Sequence, residues 1–460
     1  MRKLAGGLLA MAAISTVSPA WAEDAQGHWH GTIAGTLAVV LDVSKTPAGV
    51  WEATLHSPSQ AFSTKVSQFA SDAAHLSFAI PKLGASYQAV WNDKDKVWAG
   101  TWTQGQQAPL NLTRTDAGAA AALQPRRPQE TAIAAASAPY TSDEVQFGHA
   151  QWQLAGSLFV PKGAGPWPAV VLVHGSGPNN RDEDIFGHKI FLVLADHLAR
   201  NGIAVLRYDK RGVGGSNGDY DTATTLDFAF DAQAAVAYLR TRPDINARHI
   251  GMIGHSEGGL IAPMVAARDP QLGFVVLMAG PGVRGDVLMA EQMARNAELD
   301  GLPPEAAARQ RIANRALFAA IMAEHDPQRA RSKATAMLEQ GERDGLYVPG
   351  TAAMTAKSLT SPWFHTFLTL DPGVALKAMR QPVLALNGEL DWQVPSRLDL
   401  DAMRAALANN PRAVVKELPR LNHLFQTATT GSGQEYAQIE ETLAPSALEA
   451  ITGWIQGQVR

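Results

Sequence analysis

The sequence predicts an α/β protein: a mostly parallel sheet flanked by helices, carrying a helical insertion and preceded by a small all-β domain. Three observations carry this. From about residue 140 onward, short apolar runs alternate with amphipathic stretches, the pattern of repeated strand–helix units. Over about 281–374 that alternation stops and the composition turns to Ala, Arg, Glu and Met. From His28 to about Arg114, apolar residues recur at every second position with turn residues between the runs, as antiparallel strands require.

The elements follow in order. Arg2 and Lys3, an apolar run over 4–17 and the small residues of Ala20-Trp21-Ala22 predict a secretory signal over 1–22 and an exported, periplasmic or secreted chain beginning at Glu23. No later run reaches the roughly 18 uninterrupted apolar residues of a membrane span, so none is expected. The β domain, 23–115, has strand-like runs at 36–43, 50–56, 74–80, 86–91 and 97–103, with Asn92-Asp-Lys-Asp-Lys96 as a hairpin tip. Trp29, Trp51, Trp91, Trp98 and Trp102 concentrate there; they are expected to fill a small core, with a ligand-stacking face as the alternative. Residues 116–140 are rich in Ala and Pro without a helical apolar stripe, and read as a linker. The remainder, 141–460, has predicted strands at 151–160, 169–173, 203–206, 250–253, 274–277, 382–386 and 414–415. Helices are expected at 191–200, 226–240, 260–267 and 398–407. The insertion has long helical stretches at 304–324 and 326–340 and reads as a cap over the site.

Composition excludes several functions. The chain has 460 residues, 39 basic and 43 acidic, for a formal charge of −4; a dedicated nucleic-acid binder would show a basic field. It has no cysteine, which removes disulfides, thiolate metal sites and a thiol nucleophile together. Histidines at helical i, i+4 spacing with a metal-binding look are lacking, and no metal or organic cofactor is expected.

The chemistry falls on loops at the carboxyl ends of the strands, where ligands bind in such sheets. Gly254-His-Ser-Glu-Gly258 sits between a predicted strand and a predicted helix. This G-x-S-x-G context presents a serine on a sharp turn, so Ser256 is the candidate nucleophile. A hydroxyl needs a base and an orienting acid, and in this architecture they follow the serine as acid, then histidine. Asp391, in Gly388-Glu-Leu-Asp391 just past a strand, is the candidate acid, with Glu389 and Asp399 as poorer rivals. His423 is the sole histidine after Asp391 and is the candidate base. His174-Gly-Ser-Gly177 follows the 169–173 strand and can aim backbone N–H groups at an oxyanion. Its donor is assigned to the Ser176 amide, with Gly177 as the alternative, and the second to the Glu257 amide. His174, Gly175 and His255 are expected to support the site. Asp209 and Arg211, in the loop Arg207-Tyr-Asp-Lys-Arg-Gly-Val-Gly-Gly-Ser216, are expected to brace it; that loop lacks the order of a phosphate cradle.

Here a resemblance becomes specific. His174-Gly-Ser-Gly-Pro178 with Arg181-Asp182, Arg207-Tyr-Asp-Lys-Arg-Gly-Val-Gly214, Gly254-His-Ser-Glu-Gly-Gly259, Ser361-Pro-Trp-Phe364 with Asp371-Pro372, and Gly388-Glu-Leu-Asp391 resemble the α/β-hydrolases, and among them the bacterial EstD-like carboxylesterases. The resemblance covers residues from about 140 to 460, and more weakly the N-terminal β domain. It implies a serine hydrolase acting on short-chain acyl esters, a small-molecule substrate, and a pocket under the cap that includes Trp363 and Phe364. A peptidase or amidase of the prolyl-oligopeptidase kind, or an inactive envelope-binding protein, are the alternatives.

Overall fold

The computed structural model describes residues 24–35, 37–58, 62–122 and 125–459; the expected signal, 1–22, lies outside them. The chain divides into two compact units, residues 1–124 and 125–460.

In the first unit an antiparallel sheet runs, in space, Phe62–Lys65, Trp51–Ser57, Leu37–Lys45, Gly27–Ile33, Gln106–Thr115, Val97–Gln104, Ala85–Asn92, His75–Ile80 and Ser67–Ser71. Its two edge strands are consecutive in the chain, separated only by Val66, whose amide donates to Ala53 O at 3.0 Å. The sheet therefore curls until its edges nearly meet, leaving little open edge for pairing with other chains. Period-two alternation sends Trp29, Leu41, Leu76, Tyr87, Trp98, Trp102 and Leu110 inward. Two buried polar tips are satisfied: Tyr87 Oη donates to the carbonyls of Trp98 and Leu110 (3.1 and 3.0 Å), and Trp29 Nε1 to Ala25 O (2.7 Å). Trp29, Trp98 and Trp102 are buried and Trp51 and Trp91 half-buried, so three of the five indoles are core rather than an exposed stacking face.

The second unit holds a sheet ordered Tyr140–His149, Trp152–Pro161, Ala204–Tyr208, Trp167–Val173, Ile245–His255, Phe274–Met278, Val383–Gly388 and Ala413–Leu418. The first pair is a hairpin, Trp152–Pro161 is antiparallel to Ala204–Tyr208, and the later neighbours are parallel. The central strands are apolar throughout because both faces are covered. Ala169, Val171, Met252, Val275, Leu277 and Ala385 face one helical layer, which includes Thr225–Thr241 and Glu257–Ala266. Val170, Leu172, Ile253, Val276 and Leu386 face the other, formed by Ile190–Arg200 and Pro445–Gln458.

The insertion contains helices Gly285–Leu299, Pro304–Met322, Pro327–Arg343, Ala352–Leu359, Pro362–Thr369 and Pro372–Ala378. It has its own core, including Leu317, Phe318, Leu338 and Phe364. Leu288 and Phe367 pack it onto Leu260 of helix Glu257–Ala266 and onto Val394.

The segment read as a linker has local structure of its own. It contains helices Ala117–Ala122 and Pro128–Ala135, and the division between units falls between Gln124 and Pro125. The second helix is held by polar contacts rather than an apolar stripe. Arg127 donates to the carbonyls of Phe186, Gly187, Ala437 and Ile439; Gln129 bonds Thr442 N and Leu443; Glu130 accepts from Thr442 Oγ1. Helical periodicity carries no trace of such anchoring. Among the described residues no helix is long and apolar enough to cross a membrane.

Candidate active site

Ser256 stands between strand Ile245–His255 and helix Glu257–Ala266 with φ +52° and ψ −116°. A side chain in that region costs roughly 1–3 kcal/mol and persists only where the surroundings over-determine it. They do so here. The Ser256 amide donates to Met278 O at 2.9 Å. A Cβ on Gly254 would lie 2.0 Å from Gly258 O, and one on Gly258 2.0 Å from Val173 O. Glycine at both positions lets strand, turn and helix close around the serine.

Asp391 and His423 arrive from loops after Val383–Gly388 and Ala413–Leu418, and both are buried. His423 Nδ1 is 2.8 Å from Asp391 Oδ2, while Oδ1 accepts from the amides of Gln393 and Val394 at 2.8 and 2.9 Å. The carboxylate is thus oriented by its backbone, and the pairing puts the proton on Nδ1 and the lone pair on Nε2. His255, the residue before Ser256, contacts His423: its Nε2 meets His423 O at 3.0 Å and the two rings lie 5.0 Å apart. The rival acids stand elsewhere. Glu389 is exposed and accepts from the Arg420 amide at 2.9 Å.

Asp399 is buried against the start of the cap. Burial pushes its carboxyl up to about 7, against the amides of Gly282 and Val283, which donate to Oδ1 at 2.7 and 3.3 Å. The folded state then holds a proton that the unfolded chain has lost above about pH 4. Stability is highest below that value, falls as pH rises toward 7 and levels beyond. Asp399→Asn should therefore gain Tm on the wild type between pH 5 and pH 8. A difference in Tm that stays constant with pH would refute this titration.

His255 and Glu183 form a buried pair. Burial opposes charge on His255, yet Glu183 Oε1 at 3.2 Å from Nδ1 and the His423 carbonyl on Nε2 hold its pKa above the ordinary value. Burial likewise opposes charge on Glu183, and the imidazolium outweighs it. The carboxylate near Nδ1 and the carbonyl at Nε2 both favour the protonated ring, which places His255 as a support for His423. Glu183 also accepts from the Gly175 amide at 2.5 Å. Gly175 lies close to Ser256, for a Cβ there would sit 3.1 Å from Ser256 Cβ. With the Gly175 amide occupied, Ser176 and Gly177 (φ +103°) are the next amides along this loop. His174 is fully buried between the rings of Phe191 and Tyr208, and burial lowers its pKa to about 4; it is a neutral packing residue.

Sequence reasoning missed the second buried pair. Glu257 supplies an amide at the nucleophile turn, and its carboxylate is a junction. Oε1 accepts from Thr225 Oγ1 and from Trp363 Nε1, each at 2.6 Å; Oε2 meets Lys210 Nζ at 3.1 Å, which also donates to Gly175 O at 2.7 Å. One carboxylate so ties the nucleophile helix to the cap, to helix Thr225–Thr241 and, through Lys210, to the Gly175 loop. Removing one partner of a buried pair leaves an uncompensated charge. Lys210→Met should cost about 3–5 kcal/mol in denaturant unfolding; a loss below about 1 kcal/mol would show the pair to be dispensable. Asp209 and Arg211 brace the same loop as expected. Asp209 takes Arg181 (Nη2 to Oδ2, 2.9 Å) and the Gly215 amide (2.9 Å); Arg211 grips Asp231 with two nitrogens (2.8 and 3.1 Å).

The two aromatic residues that the resemblance assigns to the pocket point to different partners. On helix Pro362–Thr369, Trp363 faces Glu257, and Phe364, about 100° further round, packs against Phe318 in the cap's own core. The residue sharing Trp363's face is Phe367, four positions on, with ring centroids 5.2 Å apart and planes 22° apart. The i, i+4 rule of helices was the signal available for it.

A model of the alpha/beta hydrolase family matches residues 170–438, more than half of the chain. Esterase EstD of Thermotoga maritima is 40% identical over 140 residues, 30% of this chain and 33% of that protein. Esterase FrsA of Serratia proteamaculans is 30% identical over 147 residues, 32% of this chain and 33% of that protein. The chain thus spans about a third of the length of these curated relatives. Among solved structures, the Pyrococcus furiosus esterase Pf2001 gives a TM-score of 0.44 at 15% identity, covering 70% of this chain and 91% of that one. With the family matched from within strand Trp167–Val173 to beyond His423, the chain belongs to the α/β-hydrolase family.

Proposed function

We propose that this protein is an exported serine hydrolase that cleaves carboxylic esters of short acyl groups through an acyl-enzyme. The observation that carries the reading is the buried Asp391–His423 hydrogen bond, 2.8 Å long, together with the contact of the His423 carbonyl to His255, the residue before a serine held at φ +52° on a strand-to-helix turn. The printed names of two relatives, both esterases, support the ester class.

In the proposed reaction His423 Nε2 takes the Ser256 hydroxyl proton as Oγ bonds to the ester carbonyl carbon. The carbonyl oxygen becomes an oxyanion facing the amides of Ser176 and Glu257, each donor worth roughly 10²–10³ in rate. The bond to the alcohol oxygen breaks, and that oxygen takes the proton from His423. Water then attacks the acyl-enzyme with His423 as base, and the acid leaves as Ser256 recovers its proton. Asp391 stabilises the imidazolium formed in each half.

The test is to treat the purified protein with a fluorophosphonate, to locate the adduct by mass spectrometry, and to assay matched short-chain esters and peptides. A label on Ser256 with ester turnover is expected. No turnover of any activated short ester together with no label would defeat the reading, and faster peptide than ester cleavage would move it to the peptidases. Export rests on residues 1–22 and predicts a mature N-terminus at Glu23; an envelope-fraction protein that retains those residues would contradict it.

A further inference from the structure

The cap contains a cavity of about 880 Å³ that the proposed chemistry does not use. Its walls are mostly apolar, with Met289, Met293, Leu302, Tyr347 and Val348 from the insertion and Trp392 from the sheet layer. The volume lies within the usual range for small-molecule sites. Val348 and Met354, on its lip, are 69% and 73% exposed, so the groove offers an apolar entrance from solvent. In its wall Gln310 is buried and spends Nε2 on Leu346 O at 2.7 Å, while its Oε1 has no partner among the described residues. A buried acceptor without a donor is costly, and the cap does not provide the donor.

Two residues join the groove to the reaction centre. Trp392 directly follows Asp391, the partner of His423. Met289 lines the groove and also packs in the cluster that holds Leu260, on the nucleophile helix, and Trp363. In the proposed reaction the leaving oxygen receives its proton from His423, whose partner Asp391 immediately precedes Trp392 of the groove wall. Trp363 is bonded to Glu257, whose amide faces the oxyanion in that reaction.

We propose that the groove seats the alcohol half of the substrate, and that this half is bulky and largely apolar. The proposal rests on the acyl-enzyme reading above and adds the substrate class. The enzyme then acts on short-acyl esters of long or ring-bearing alcohols, with selectivity on the leaving side.

The test compares kcat/KM along two series: acetates of alcohols from ethyl to octyl, and methyl esters of acids of the same lengths. Because kcat/KM covers every step up to acyl-enzyme formation, it reports the alcohol half even where deacylation limits turnover. Each methylene moved from water onto an apolar wall is worth roughly threefold to fourfold. An overall rise of at least about tenfold is expected along the acetates, with none along the methyl esters. Ala297→Trp, at a half-buried position in the groove, and Val348→Arg, at its exposed lip, should each abolish the rise and leave ethyl acetate within about twofold of wild type. A flat acetate series, a rise on the acyl series instead, or a rise that survives both substitutions overturns the groove assignment while a labelled Ser256 upholds the acyl-enzyme. Absence of both label and ethyl acetate cleavage would instead defeat the acyl-enzyme, and this proposal with it.

Discussion

Ser256→Ala is expected to lower kcat/KM for an activated ester by about six orders of magnitude and to abolish fluorophosphonate labelling, with thermal unfolding nearly unchanged. The loss is large because in the proposed reaction the side chain is the covalent partner in both half-reactions. What survives is stabilisation by the oxyanion amides and by binding, roughly 10³–10⁴ over water. The fold should persist because the turn is imposed by its neighbours. The amide bond to Met278 O and the close approaches at Gly254 and Gly258 are backbone features that alanine leaves intact. Alanine also keeps the Cβ that packs on Gly175. A variant that still takes the label on another residue would displace Ser256 from the mechanism; one that loses activity only by unfolding would leave the turn, not the hydroxyl, as the essential feature.

The legible part of the site has a physical reason. The serine, the acid and the base each follow the carboxyl end of a strand, and buried parallel strands are continuous apolar runs that stand out against loops. Strand, turn and helix around Ser256 were therefore readable from about ten residues. Asp391 was separable from Glu389 by position after the strand, and the structure shows the difference: one carboxylate is buried on two amides, the other exposed on the Arg420 amide. Strand Tyr140–His149 was missed because acidic Asp143 and Glu144 interrupt its alternation, although Val145 and Phe147 do point into the core.

The supporting charges were not legible, since no local pattern encodes them. Lys210 and Glu257 are 47 residues apart and Trp363 lies 106 beyond Glu257. Each looks like an ordinary surface residue until the loops converge. Glu183 was passed over for the same reason, though it lies within a motif the resemblance quotes only to Asp182. Polar anchoring over long separations also hid the helix Pro128–Ala135. Local periodicity reports apolar faces, whereas these contacts join one side chain to a distant backbone.

Asp391→Asn is expected to lower kcat by about 10⁴ with a smaller change in KM and little loss of stability. The geometry dictates how asparagine must sit. The amides of Gln393 and Val394 both donate to Oδ1, so the amide oxygen takes that place and the loop keeps its shape. The NH₂ group is then forced to face His423 Nδ1, where Oδ2 now lies at 2.8 Å. A donor there requires Nδ1 to accept, which moves the ring proton to Nε2. In that tautomer His423 has no lone pair for the Ser256 proton, and the charge that would stabilise the imidazolium is also gone. Neither effect touches the substrate before reaction, so the loss falls on kcat. Glu389→Gln, at an exposed carboxylate bonded to the Arg420 amide, should remain within about twofold of wild type, an expectation that follows from the small effect of surface changes. Steady-state kinetics on the two variants decides the matter: if Glu389→Gln is the crippling change and Asp391→Asn the mild one, the acid has been placed on the wrong residue.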